Sequence, residues 1–319
     1  MANKELSYVV GIIKSREKYL IGEEKLARLL EADTLSDALK TLKELGFGGE
    51  EDYGEDYESL LAAEEEKTIA FLKENYDGEA AAYLSAGVDF HNAECAARTA
   101  FGGVNAPFKR GGTVSGEDLL QAAKSGNYAG IPTHLAKPMK EAALLFEEQT
   151  ANGVTVGMTF VSAYYAYLTA SAKSKWLKEA LRYEIDAKNI ATVLRSRDMA
   201  VAEPMLLTGG TLSKKQLSVL LTDRAEEAAD SLGAYKELAL LGLEGMKNRT
   251  LVAFERAADS FSMKKLKERR YETEGTFPLL LFAFYKKAEL ANVRIVLVGK
   301  RGGVKNEQIK ARLKEGYAG

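Results

Sequence analysis

A single cysteine, Cys95, stands in 319 residues, so no internal disulfide framework can form and a reducing compartment is expected. Prolines number only five, which removes the commonest interruption of long helices. Histidines are scarcer still: His91 and His134 are the whole supply for metal ligation or acid–base work near neutral pH. The formal net charge is −2, which gives no global attraction to nucleic acid or to an anionic membrane. Long hydrophobic runs are missing too. The stretch 149–172 carries no charge, but Thr150, Asn152, Thr155, Thr159, Ser162, Thr169 and Ser171 break it, so a buried amphipathic helix is expected and not a membrane span. Phe277–Tyr285 is apolar and ends at Lys286 and Lys287. The opening residues, MANKELSYVVGIIKSREKYL, are charged and lack the apolar core and cleavage site of a signal peptide.

What the chain does hold is helix. Hydrophobic content of 46% and charge of 28% describe an ordinary folded protein, dominated by strong helix formers. Apolar residues recur at three- and four-residue spacing, as in Leu26, Leu29, Leu30 and Ala32, or Leu217, Leu220 and Leu221. Ser115, Ser213 and Thr34 or Ser36 are expected N-caps; Gly46, Gly87 and Gly102–Gly103 are expected stops or bends. Alternating β-branched runs bounded by hairpin turns are missing, and the best strand candidate, Val293–Val298, lies in a motif whose other copies read as helix. The expected fold class is all-α.

That motif is an acid three residues before an asparagine: Asp89 and Asn92, Asp186 and Asn189, Glu289 and Asn292. Each copy is followed by a glycine-marked turn and a leucine-rich helix, with Gly112, Gly210 and Gly302–Gly303 marking the turns and an extra version of the second element at Gly22–Leu26. The glycines divide the chain into three units, 22–111, 112–209 and 210–301, with half-units at 1–21 and 302–319. Since one hydrophobic core stops growing at about 250–300 residues, one small core per unit is expected. Residues three apart share a helix face, so each acid lies beside its asparagine. Ala96 and Thr99, Val193 and Ser196, and Val296 and Gly299 extend the three faces. Two readings apply: a polar latch fixing neighbouring helices, or a catalytic carboxylate. Threefold repetition favours the latch, because a catalytic site is normally single and asymmetric.

Candidate chemical sites do not assemble. Gly299-Lys300-Arg301 imitates the end of a phosphate loop, but its leading glycine would fall at Arg294 and Arg301 occupies the place of the magnesium-binding hydroxyl. Gly46-Phe47-Gly48 begins a dinucleotide fingerprint, but Glu51 stands where the third glycine belongs. His91 and Cys95 are spaced i, i+4, yet zinc needs three or four protein ligands and no further set is at hand. No orienting group is apparent for cysteine–histidine chemistry. No cofactor, metal, small-molecule substrate or catalytic set is therefore expected. The acidic segment 50–66 reads as an exposed loop leading into a helix, and the basic run Lys264–Arg270 as a solvated helix face. Nucleic-acid binding is not expected; the basic run leaves one alternative, a helical-repeat scaffold for an unrelated protein or nucleic acid.

Three segments carry a family resemblance: Tyr8-Val9-Val10 through Arg16-Glu17-Lys18-Tyr19-Leu20; Tyr183–Asn189 with Leu194-Arg195-Ser196-Arg197; and Lys287–Arg294 with Gly299-Lys300, Glu307, Ile309 and Leu313. On these the chain resembles the C subunits of bacterial and archaeal V/A-type rotary ATPases, the counterparts of the d subunit in eukaryotic V-ATPases. His91 and Cys95 depart from the family's usual residues. The resemblance implies an all-helical funnel or collar of three units, non-catalytic and peripheral. It would sit on the cytoplasmic face of the membrane proteolipid ring and receive the D and F subunits of the central stalk. Arg195, Arg197, Lys300 and Arg301 are the candidate partner contacts.

Overall fold

Helix-forming composition and sparse proline give a chain of helices and turns. The computed structural model describes residues 5–76, 78–105, 107–273 and 275–317, and no strand occurs among them. In chain order the α-helices are α1 (Leu6–Glu17), α2 (Glu23–Glu31), α3 (Leu35–Glu44), α4 (Tyr57–Asn75), α5 (Glu79–Gly102), α6 (Gly116–Ser125), α7 (Thr133–Glu147) and α8 (Gly153–Ser171). There follow α9 (Lys175–Ser196), α10 (Met199–Ala202), α11 (Lys214–Ser218), α12 (Ala225–Ala228), α13 (Lys236–Lys247), α14 (Val252–Lys267), α15 (Phe277–Arg301) and α16 (Asn306–Lys310). The fold is all-α. Val293–Val298, the best strand candidate, lies inside α15.

Two compact units divide the chain. One is continuous, Glu65–Lys173; the other joins Glu5–Glu64 to the residues from Ser174 onward. The continuous unit has an apolar core in which Phe90, Ala93 and Ala97 of α5 meet Leu119 of α6, Leu135 and Met139 of α7, and Phe160 of α8. The discontinuous unit holds two further clusters. In one, Ile190 and Leu194 of α9 pack with Leu217, Leu238 of α13 and Phe254 of α14. In the other, Leu29 of α2, Leu42 of α3 and Leu61 at the start of α4 pack with Val293 and Leu297 of α15 and Ile309 of α16. In all three clusters the second half of a long helix (α5, α9 or α15) supplies part of the core. Those are the helices bearing the acid–asparagine pairs.

Helix starts follow the cap chemistry. Thr34 accepts the Asp37 N–H at 3.2 Å and Ser115 accepts the Asp118 N–H at 3.1 Å. Ser213 and Gln216 form a reciprocal capping box, as do Asn152 and Thr155. Gly103 ends α5 in the left-handed region, φ 67°, where glycine carries no steric cost. Gly87 corrects the sequence expectation: it neither stops nor bends the chain but lies inside α5. A mid-helix glycine costs about 1 kcal/mol relative to alanine. Burial of Tyr83, Leu84, Val88 and Phe90 around it outweighs that cost.

The uncharged stretch resolves as the helix α8, which buries Val156, Phe160, Tyr165 and Leu168, half-buries Ala163, Tyr164 and Tyr167 against the same core and exposes Val154, Ser162, Ala166 and Thr169. Phe277–Tyr285 is instead buried on every side at the start of α15. Among the described residues no helix is long and apolar enough to cross a membrane.

Candidate functional site

In each copy the asparagine brackets the backbone of one residue in the segment downstream. Asn92 donates its Nδ2–H to the Lys109 carbonyl at 2.8 Å and accepts the Lys109 N–H at 2.9 Å. Asn189 does the same at Leu207, with 2.9 and 2.8 Å, and Asn292 at Lys314, with 3.0 and 2.7 Å. All three side chains are buried. A carboxamide presents one donor and one acceptor side by side, which matches a peptide's own carbonyl and N–H. Few other side chains can satisfy both groups at once.

The acids take the next turn. Asp89 Oδ1 accepts the backbone N–H groups of Thr113 and Val114, at 2.6 and 3.2 Å, and Oδ2 accepts the Thr113 hydroxyl at 2.6 Å. Asp186 repeats the pattern. It accepts the Thr211 N–H at 2.8 Å, the Thr211 hydroxyl at 2.6 Å and the Leu212 N–H at 3.1 Å, and adds the Tyr235 hydroxyl at 2.8 Å. Burial raises the Tyr235 pKa, and the adjacent Asp186 charge pushes the same way. The glycines before Thr113 and Thr211 have a steric reason: a Cβ on Gly112 would overlap the Asp89 carboxylate, and one on Gly210 that of Asp186. The polar partners thus lie in the loops that follow the motif helices.

The third acid differs. Glu289 is one methylene longer, and its Oε2 accepts the Ile21 N–H at 3.0 Å, tying α15 to the segment between α1 and α2. Its Oε1 accepts Lys286 Nζ at 2.7 Å, and Lys286 also reaches Glu64 Oε1 at 2.5 Å. Glu64 in turn accepts the Gly48 N–H at 3.0 Å. The side chains of Lys286, Glu64 and Glu289 are only 9, 10 and 2% exposed. Burial raises the Glu289 pKa, and the adjacent Lys286 ammonium and the Ile21 N–H only partly offset it. Burial alone would lower Lys286, but the two carboxylates more than reverse it and hold its pKa above the ordinary value. In the sequence Lys286 reads as the end of an apolar run; its i, i+3 spacing to Glu289 is the signal of a shared face.

The other candidates are spread out. His91 and Cys95 meet at 3.5 Å, with burial raising the Cys95 pKa, and no cluster of three or more potential metal ligands occurs among the described residues. His134 stacks on Tyr167, with ring centroids 4.1 Å apart, and burial lowers its pKa against the pull of Asp89. Arg195 pairs with Glu255 at 2.8 Å on the surface. Lys300 donates to the Leu30 carbonyl and to Asn306, at 2.7 and 2.8 Å, and Arg301 lies 5.8 Å from the Tyr57 ring. Arg197 caps α9 in the left-handed region, φ 54°. Three cations of the basic run pair with acids: Lys265 with Glu268, Lys267 with Glu315 and Arg269 with Glu179. In the acidic segment residues 50–52 and 54–56 are exposed, while Glu64 is buried.

Replacing Asn189 with leucine is expected to lower stability by about 1–3 kcal/mol, since the buried N–H and carbonyl of Leu207 lose both partners. Urea denaturation checks this; an unchanged midpoint would contradict a contribution from the bracket.

The sequence profile of the ATP synthase (C/AC39) subunit family matches residues 9–312. The chain is similar to the C subunit of the V-type sodium ATPase of Enterococcus hirae, 23% identical over 330 residues, covering 96% of this chain and 97% of that protein. It is also similar to the C subunit of the A-type ATP synthase of Haloferax volcanii, 25% identical over 211 residues, covering 63% of this chain and 55% of that one.

Proposed function

Because the chain belongs to the ATP synthase (C/AC39) subunit family, and so to a hetero-oligomeric V/A-type rotary ATPase, we propose that it is the complex's non-catalytic central-stalk component. In this role it sits peripherally on the cytoplasmic side of the membrane proteolipid ring and links the ring to the D and F subunits of the stalk. It relays rotation between ATP hydrolysis or synthesis and H+ or Na+ translocation, with the units 22–111, 112–209 and 210–301 arranged as a funnel or collar. The family match across nearly the whole chain carries this reading.

The motif geometry supports it physically. A rotor part that relays torque needs stiffness between its elements. Buried side-chain bridges to loop backbone supply stiffness, since bending a loop would strand donors inside low-dielectric surroundings. We assign Asp89, Asn92, Asp186, Asn189, Glu289 and Asn292 that latch role. The acids standing beside Lys265, Lys267 and Arg269 offset part of the run's positive charge, which weakens the scaffold alternative.

Reconstitution of the complex without this chain is the test. ATP hydrolysis by the remaining head should persist while ATP-driven ion pumping into vesicles falls to background. Undiminished pumping would overturn the proposal.

A further inference from the structure

A groove runs along α14 in the discontinuous unit. Residues 248–251 join α13 to α14 as a helical hairpin, and Leu238 and Leu241 of α13 form one wall of the groove. Ala311 and Glu315 of the C-terminal segment form the other. That second wall is tied down: the Glu315 N–H donates to Ser260 at 2.8 Å, and Lys314 pairs with Asp259 at 2.9 Å. The floor is Ala253, Ala257 and Phe261, one i, i+4 row of α14. The cavity holds about 730 Å³ and reaches from Val252 to Glu268. At 1.5 Å per residue that is about 24 Å, the full length of α14. Val252 and Ala253 are exposed in it, and Ala257 and Phe261 are only half-buried. Apolar surface left open along a whole helix marks an interaction site.

Charge around the groove is sorted by side. The neighbouring row of α14 presents Arg256 and Lys264, both exposed, and neither makes an ion pair among the described residues. They flank Ser260, so they stand on the side of the C-terminal segment. On the α13 wall the exposed charge is Glu237, which also makes no ion pair among the described residues. The remaining charged groups are already matched: Lys265 pairs with Glu268 at 2.9 Å, and Glu315 with Lys267. An apolar floor thus lies between an edge with two unmatched cations and an edge with one unmatched acid.

We propose that this groove receives an amphipathic helix from another subunit of the rotary ATPase. Its apolar residues, three and four apart, lie on the α14 floor, and acids on one edge face Arg256 and Lys264. Those cations are eight positions apart, about 12 Å along the axis, so the acids stand seven or eight residues apart. Length and charge spacing select this occupant. A helix of about 16 residues spans 24 Å and meets both cations. A single anionic headgroup would engage one of them and leave the rest of the groove to its tail.

The experiment places the photo-cross-linker p-benzoylphenylalanine at Ala253 of the full chain within the purified complex. Mass spectrometry should find adducts on one helical segment of another subunit, with acids seven or eight residues apart. Rebinding of the chain to complex stripped of it supplies the second measurement. The double variant Arg256→Glu/Lys264→Glu should bind at least tenfold more weakly, and Arg256→Lys/Lys264→Arg close to wild type. Both positions are exposed, so these variants should keep the wild-type helical spectrum and melting transition. Replacing the two cross-linked acids with lysine should restore binding of the double variant, which a misfolded chain could not show. Adducts on lipid alone, no adduct on a helix of this pattern, or wild-type affinity in R256E/K264E would overturn the proposal. Each of these leaves the central-stalk reading standing, since ion pumping without this chain decides that.

Discussion

Lys286→Met is expected to destabilise the discontinuous unit by about 3–5 kcal/mol, the cost of leaving buried charge without its counter-ion. Methionine keeps the length of the stem, so packing changes little and the loss is electrostatic. Glu64 and Glu289 both face the lost ammonium, at 2.5 and 2.7 Å. A second change, Glu64→Gln, should recover part of the loss in the K286M background while destabilising the wild type. Chemical denaturation of the four proteins gives the coupling directly. Equal midpoints for K286M and wild type would show that the triad is not buried in solution. The wild type adds a pH signature. Because the folded pKa of Lys286 is raised, its contribution is complete below the unfolded value of about 10.4 and is lost as pH climbs through the folded one. K286M should lack that alkaline loss.

Asp186→Ala is the second large effect. It orphans the N–H groups of Thr211 and Leu212, together with the hydroxyls of Thr211 and Tyr235. Each buried donor left without a partner costs about 1–3 kcal/mol. Water entering the vacated space will rehydrate some of them, so a total of about 3–5 kcal/mol is expected from these unsatisfied groups. The melting transition measures it. Asp186→Ala should also cost more than Asp89→Ala, since Asp89 lacks a counterpart of the Tyr235 bond. A smaller loss for Asp186 than for Asp89 would contradict the count of donors.

Much of the helical architecture could be read from residues alone, because its signals are local. Caps such as Ser115 and Ser213, stripes such as Leu26–Leu29–Leu30, and the recurring acid–asparagine spacing all act within a few residues. Gly87 misled because a glycine's meaning depends on what packs around it. The partners of the motif were out of reach for a different reason. Asn92, Asn189 and Asn292 bond to residues 17, 18 and 22 positions away, inside loops with no pattern of their own. Tyr235, Glu64 and Lys286 draw their significance from tertiary neighbours. A buried lysine in sequence looks the same as a solvated one.

The bond from Ile21 to Glu289 spans 268 residues, and the core beneath it draws on both ends of the chain. On a ribosome adding roughly 5–20 residues per second, the first apolar helices would wait roughly 15–50 s for their binding surface to emerge. The continuous stretch from Glu65 to Lys173 has no such delay, as its core is complete within itself. Biosynthesis therefore imposes an order on assembly: the middle of the polypeptide can mature early, while Leu26, Leu29 and Leu30, with only α3 and the start of α4 to pack on, stay partly uncovered until the last helices arrive.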